Sequence, residues 1–316
     1  MALLTVLLLV AVMAALCVVL LDDVRFSVRR TTNAESQAQA QAYAAGAEAL
    51  ARRRLSDLVR ADPARTPLQP QWNGRVFALE DGEGRAVIRD GQACFNLNSL
   101  VLGQGEDLIA RPEGAAQFIA LGAALGVPHG RMATVAAALT DWMDGDDEVS
   151  AQGAEDAAYA SRPTPYRTGG VMLAEVSELR AVAGVDDDLY RRLRPYLCAL
   201  PEARLSPLNV NTLEPQDAVL LVAISRGVVG LNAAKAAIAA RPAAGWTSPD
   251  AFWAQPALSG VVVDEEAKGQ ITLATRYFDL RVEIEHGDAR AVRTALIHVA
   301  PDGAARTVIR RWTPEE

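Results

Sequence analysis

The first 21 residues carry no charged side chain, and Thr5 is their only hydroxyl residue. At roughly 1.5 Å per residue, a helix over this run spans about 30 Å, the thickness of a bilayer's hydrocarbon core. A cleavable signal peptide has a basic start, an apolar stretch of about 7–15 residues and a small-x-small cleavage site. This run is longer, no base precedes it, and no such site follows it cleanly. A lipoprotein signal centred on Cys17 needs Gly or Ala where Leu16 stands. The pattern predicts a retained transmembrane helix over residues 1–21.

Polar residues enter at Asp22, yet helix formers continue through residues 34–60, with no proline before Pro63. Ala40, Tyr43, Ala47, Leu50 and Ala51 recur at spacings of three and four, which places them on one helix face able to lie against a globular head. The expectation is one continuous helix of about 55 residues, half in lipid and half on protein. Arg25, Arg29 and Arg30 follow the apolar run. Taken alone, they place the C-terminal bulk on the cytoplasmic side.

Period-two patterning begins after a proline-rich stretch over residues 61–74. Gly74–Glu80 and Arg85–Asp90 read as a hairpin around Asp81-Gly82-Glu83-Gly84, and Cys94–Leu100 as a third extended segment. It resumes at Ile271–Glu285, Ala291–Ala300 and Arg306–Trp312, the last two separated by Pro301-Asp302-Gly303. Residues 101–265 between them read as helical, with candidates at Ala115–Leu125, Arg131–Met143, Leu173–Val182, Leu189–Ala199, Pro215–Ile224 and Ala233–Ala240. The predicted fold is α+β: a long N-terminal helix on an antiparallel sheet, with a large all-α domain inserted between strands. Five segments follow: 1–21, 22–60, 61–100, 101–265 and 266–316.

The chain has 316 residues, half of them apolar, with 31 basic and 39 acidic side chains for a net charge of −8. That excludes a disordered chain and disfavours nucleic acid as a partner, since phosphates attract basic clusters. His129, His286 and His298 are isolated, and no Ser-His-Asp, HExxH or phosphate-loop pattern occurs, so no enzyme is expected. Of three cysteines, Cys17 lies in the apolar run. Cys94 and Cys198 are the pair a soluble domain could bridge, and the sequence leaves their state open.

Three motifs remain. Residues 141–156 hold seven carboxylates in sixteen residues, beginning Asp141-Trp142-Met143-Asp144. Hard oxygen donors at this density suit Ca²⁺, but with Asp144 as position one of an EF-hand loop, position six is Val149, not Gly. A solvated acidic loop is the plainer alternative, and acid–base catalysis finds no supporting partner. Ser177–Leu193 reads as helix, Gly184 turn, helix, with Asp186 as N-cap. Helix hairpins of this form bind DNA phosphates, but Asp186, Asp187 and Asp188 crowd the turn. Asn96, Asn98, Asn209 and Asn211 form two N-x-N pairs, read as supports for backbone groups.

Taken in order, ALLTVLLLVAVMAAL, QAYAAGAEALARRRL, FNLNSL, DWMDGDD…GAEDAAY, PYRTGG…LAEVSELRAVAGV and LNVNT resemble the K-type minor pseudopilins of bacterial type II secretion systems. The resemblance covers almost the whole chain. It implies a pilin-like head with an inserted α-domain, a non-enzymatic role capping or initiating the pseudopilus tip, and assembly with I- and J-type minor pseudopilins for export across the outer membrane. It implies cutting of a short basic leader by prepilin peptidase, with Met1 as first mature residue. With that leader the head lies in the periplasm and the helix in the inner membrane. Thr5 then stands where most pilin-like subunits carry Glu. Structural Ca²⁺ is implied too, with Asp141, Asp144, Asp146, Asp147, Glu155 and Asp156 as its expected ligands. The rival reading is a membrane-anchored helix-hairpin-helix DNA-binding protein of the competence type.

Overall fold

The computed structural model describes residues 2–66, 74–105 and 107–313. Met1, the expected first mature residue, lies outside them, as does part of the expected proline-rich loop. Helix α1 (Ala2–Ala61) is unbroken over 60 residues. Its apolar N-terminal portion is exposed along its length among the described residues and is long enough to cross a membrane. Within it, the Thr5 hydroxyl donates to the Ala2 carbonyl at 2.8 Å, so the polar group is satisfied inside its own helix.

The C-terminal portion of α1 buries Ala40, Ala44, Glu48, Ala51, Leu55 and Val59, a stripe with spacings of four and three. Leu50, expected on this face, is instead 58% exposed. It lies on the flank, and the stripe's small alanines let the helix approach the sheet closely. The sheet is antiparallel, in the order β1 (Arg75–Leu79), β2 (Gly82–Asp90), β9 (Tyr277–His286), β10 (Ala289–Val299), β11 (Ala305–Arg311). Phe278, Leu280, Val282 and Ile284 alternate on β9. With Ala291, Ala295, Ile297 and Val299 of β10 they form the core under α1.

The β1–β2 turn is tighter than the expected Asp81–Gly84. Leu79 pairs with Gly82, and Asp81 takes the positive φ of 59°. Gly82 and Gly84 serve close packing instead. A Cβ on Gly82 would sit 1.9 Å from the Glu285 carbonyl oxygen, and one on Gly84 would sit 2.3 Å from the Phe77 ring.

Between β2 and β9 the chain builds a second core on β3 (Phe95–Asn96), β4 (Val101–Gln104), β5 (Asp107–Ala110), α2 (Pro112–Ala124), α3 (His129–Met143), α4 (Asp156–Ala160), α5 (Asp187–Leu193), β6 (Leu197–Cys198), β7 (Leu208–Asn209), α6 (Ala218–Ile224), α7 (Leu231–Ala239), α8 (Pro249–Trp253), α9 (Glu265–Gly269) and β8 (Ile271–Thr272). It is mainly helical but not all-α. β4 and β5 form a small hairpin, and β3–β6 and β7–β8 are short parallel pairs. The expected Leu173–Val182 helix shrinks to a 3₁₀ turn over Val176–Ala181, capped reciprocally by Glu175 and Glu178. The expected third extended segment is brief, because Leu97–Leu100 coil into a 3₁₀ turn after β3.

The N-x-N pairs hold this domain's ends. Asn98 Nδ2 donates to the Leu173 and Leu200 carbonyls at 2.9 and 2.8 Å, while its Oδ1 accepts from Leu173 N at 2.8 Å. Asn209 Nδ2 donates to the Thr66 carbonyl at 3.1 Å and to Thr275 Oγ1 at 2.9 Å. Cys94 and Cys198 are joined by a disulfide. The insert also touches the outer face of the sheet, through Leu200 against Tyr277 and Leu296 and through an Arg311–Glu175 ion pair at 2.8 Å.

Candidate functional site

The acidic run starts inside α3. Met132, Val135, Leu139, Trp142 and Met143 bury that helix in the insert core, and Asp141 on its last turn goes in with them, 1% exposed. Trp142 packs edge-on to Tyr159 at 5.2 Å and to Tyr166 at 6.0 Å, while Arg162 lies over the Tyr159 ring at 4.8 Å. The Trp142 carbonyl accepts from both Gly169 N and Gly170 N at 3.1 Å, and Gly145 N donates to the Leu108 carbonyl at 2.8 Å. These contacts hold the loop between α3 and α4 from both sides.

Three buried carboxylates lie within this frame. Asp141, Asp144 and Glu155 are buried, and each leaves one oxygen without a hydrogen-bond partner: Asp141 Oδ1, Asp144 Oδ1 and Glu155 Oε1. Asp141 Oδ2 accepts from Ser150 N at 3.1 Å. The loop passes so tightly over this group that a Cβ on Gly153 would sit 2.0 Å from Asp141 Oδ2. Burial, then the neighbouring charges of Asp146 and Asp141, push Asp144 up to about 6. Burial, then Asp141, Asp144 and Asp147, push Glu155 up to about 7. The side chains are thus close enough to repel. They do not surround one point, since among the described residues no group of three His, Cys, Asp or Glu side chains is arranged to hold an ion.

The other expected ligands stand apart from that trio. Asp146 and Asp147 are exposed at its rim, and Asp146 Oδ1 accepts from Glu148 N at 2.9 Å. Asp156, on the first turn of α4, is committed elsewhere. Its Oδ1 accepts from Thr168 N at 2.9 Å and Thr168 Oγ1 at 3.0 Å, and its Oδ2 lies 3.7 Å from Arg167. Those bonds from Thr168 hold its carboxyl below the usual range. Arg167 is a compensating base that the run itself lacks.

Buried carboxylate oxygens without donors are costly unless neutralised or met by a cation. Oxygen-only donors suit Ca²⁺, which takes six to eight such ligands. The trio therefore fits this ion in the chemistry of its donors, while its oxygens as placed form no closed coordination site.

A second buried charge was not anticipated from the sequence. Glu48, on the sheet-facing stripe of α1, is 2% exposed. Its Oε2 accepts from Arg293 Nε at 2.6 Å and Arg310 Nε at 3.0 Å. Its Oε1 accepts from Thr307 Oγ1 at 2.6 Å and Arg310 Nη2 at 2.7 Å. Burial raises its pKa, but the hydrogen bonds from Arg310, Thr307 and Arg293 outweigh that and hold it down at about 2. The available signal was positional: Glu48 stands four residues from Ala44 and three from Ala51, inside the apolar stripe. At the helix-hairpin turn, Asp186 caps α5 by accepting from Leu189 N at 2.8 Å and pairs with Arg131 at 2.7 Å.

The family described as type II secretion system (T2SS), protein K, matches residues 93–202 and again residues 208–274, both in the insert. Type II secretion system protein K of Pectobacterium carotovorum subsp. carotovorum is 36% identical over 95% of this chain and 92% of its own length. The protein of the same name from Klebsiella pneumoniae is 38% identical over 100% and 98%. Among solved structures, the chain resembles one in the GspK-GspI-GspJ complex from the enterotoxigenic Escherichia coli Type 2 Secretion System. The TM-score is 0.79 at 34% identity, covering 90% of this chain and 100% of that one.

Proposed function

The chain belongs to the type II secretion system protein K family, the minor pseudopilins, and from that premise we propose that it caps or initiates the pseudopilus tip together with I- and J-type partners, in export across the outer membrane. One observation carries the reading: the whole of a K chain from a K–I–J complex superposes on this one. The shape supports it. One unbroken helix joins the apolar anchor to the sheet. Thr5 closes its hydrogen bond within α1 and needs no neighbour's amine to satisfy it, which suits a position above which no subunit is added.

In this reading the anchor lies in the inner membrane, the head faces the periplasm, and prepilin peptidase processes the N-terminus. Chemistry on a substrate is not part of the role. The insert is the bulky cap, and Asp141, Asp144 and Glu155 would hold Ca²⁺ there, with Asp146, Asp147 and Asp156 at the rim. The ion would supply neutralisation of three buried negative charges and a cross-link between α3 and the start of α4. The protein's part is to bury and orient the carboxylates, which Trp142, Tyr159 and Gly153 do. The test is complementation of a K-deletion strain. Leu8→Asp places a charge in the apolar span and should abolish secretion and recovery of the K–I–J complex from membranes. Normal secretion by that variant would sink the anchor reading. The competence-type alternative calls for a basic turn at Gly184, where Asp186, Asp187 and Asp188 stand instead.

A further inference from the structure

The insert rests on the outer face of the sheet without closing on it. Leu200 packs against Tyr277 and Leu296. Beside that contact a cleft of about 620 Å³ stays open between Ser177, Tyr190 and Leu197 of the insert and Thr294, Leu296 and Ile309 of the sheet. The Arg311–Glu175 ion pair joins its two walls. The chain crosses between the two bodies at Gly91 and Tyr277, which share a backbone hydrogen bond of 2.8 Å. A cleft on one side of such a crossing leaves the insert room to tilt about it.

His298 stands in this joint. On β10 it lies opposite Tyr277 of β9 and Arg306 of β11, half-buried, with its ring 4.9 Å from the Tyr277 ring. The insert brings Glu202 and Arg204 to the same place. The Tyr277 hydroxyl donates to Glu202 Oε2 at 3.3 Å, and Arg204 pairs with Glu202 at 2.9 Å. Asn96 Nδ2 donates to the Glu202 and Arg204 carbonyls at 2.9 and 3.2 Å, so this loop is fixed to the body of the insert. Arg276, at the entry to β9, completes the set of charges. Burial, then the charge of Arg306, holds His298 below its ordinary 6.5; Arg276 and Arg204 act the same way, and Glu202 alone opposes them. Three guanidinium groups against one carboxylate favour a neutral ring.

We infer that His298 is a proton-operated release between the insert and the sheet: a proton on its ring adds a fourth positive charge to the joint, and the insert tilts off the outer face and widens the cleft. The sign follows from linkage. With the joint open, the ring is in water and titrates near its ordinary value of 6.5. With the joint closed, it takes up a proton less readily. Acid therefore favours the open form. The closed joint holds in full above pH 6.5 and weakens as the pH falls below it. Because Asn96 ties the loop to the insert, repulsion at Arg204 acts on the whole body and not on a loose segment.

The test uses the full chain in detergent, as wild type and as His298→Gln. Histidine-labelled NMR reads the ring directly: His298 should titrate below 6.5, and a value at or above 6.5 overturns the proposal. Hydrogen exchange by mass spectrometry, corrected for its intrinsic pH dependence, reads the joint. Between pH 7.5 and pH 5.5, wild-type amides in residues 199–206 and 275–280 should speed up by roughly threefold or more, while those of α6 in the insert core stay unchanged. The variant is neutral at both pH values and should show no such response. Asp144, Glu155 and Asp217, at about 6, 7 and 6, titrate over the same interval, but they do so in both proteins, so the difference between the two isolates His298. No acid response in the wild type, or an equal one in both proteins, overturns the proposal. So does acceleration of α6 together with the joint, which marks general unfolding. If His298→Gln misfolds, Arg306→Gln removes the strongest neighbouring charge and should weaken the acid response; an unaltered response then overturns the proposal.

Discussion

Glu48→Gln is the sharpest perturbation of the head, because it keeps the side chain's shape and removes only its charge. The wild-type carboxylate accepts four hydrogen bonds from Arg293, Thr307 and Arg310. Holding a carboxyl at about 2 instead of 4.5 corresponds to roughly 3 kcal/mol of stability. A second route gives a similar figure. Arg293 is only 7% exposed, and removing one partner of a buried ion pair costs about 3–5 kcal/mol. Against a typical total of about 5–15 kcal/mol, that is a large fraction.

The sign with pH is fixed. Folding depresses the pKa, so the contribution is complete above pH 4.5 and is lost as pH falls towards 2. Urea unfolding of wild type and variant, followed by circular dichroism at several pH values, should show a gap of about 3 kcal/mol at pH 7. The gap should close near pH 2, where wild type protonates the same group. A gap under about 1 kcal/mol at pH 7, or one that persists unchanged to pH 2, would refute the assignment of Glu48 as the charge that locks α1 to the sheet.

Ca²⁺ titration should be saturable and raise the melting temperature, and both effects should be lost in Asp144→Asn with Glu155→Gln; Gly153→Ala should weaken binding by displacing Asp141, and calorimetry reads each outcome. Replacing Cys94 and Cys198 by serine opens a covalent link between residues 104 positions apart and should cost about 2–4 kcal/mol in urea unfolding. Asn98→Ala removes three hydrogen bonds from a fully buried site and should destabilise the insert by about 3 kcal/mol, whereas an effect within error would show that water replaces the amide.

The long helix, the five strands and their separation by a helical insert were legible because each rests on a periodicity: an unbroken apolar run, a stripe of period near 3.6, and alternation on β9. The insert's finer structure was not. Val176–Ala181 has the composition of a helix, but Gly184 and its neighbours end it after two tight turns. Leu50 fits the spacing of the expected face yet lies on its flank, because alanine-rich helices carry two overlapping apolar stripes and only the sheet decides between them. The acidic run was visible as a region. Which of its members are buried depends on Trp142 packing against Tyr159 and on Thr168 reaching back to Asp156, contacts that sequence spacing does not encode. Glu48 entered no expectation drawn from the sequence. Its partners lie on strands more than two hundred residues away.

In the sheet, β2 pairs with β9, Asp90 opposite Phe278, although the entire insert lies between them in the chain. A chain growing from its N-terminus exposes α1 and the β1–β2 hairpin long before the strand that completes them. A lone hairpin is marginal in water, and pairing across so long a loop is slow. The insert shortens that search. Once its own core forms, Gly91 and Tyr277 emerge side by side, tied by a backbone hydrogen bond of 2.8 Å. The loop that β2 and β9 must close is then a few residues and not the whole domain. The insert thus does topological work for the sheet: it hands Gly91 and Tyr277 back a hydrogen bond apart, and β2 and β9 pair outward from that point.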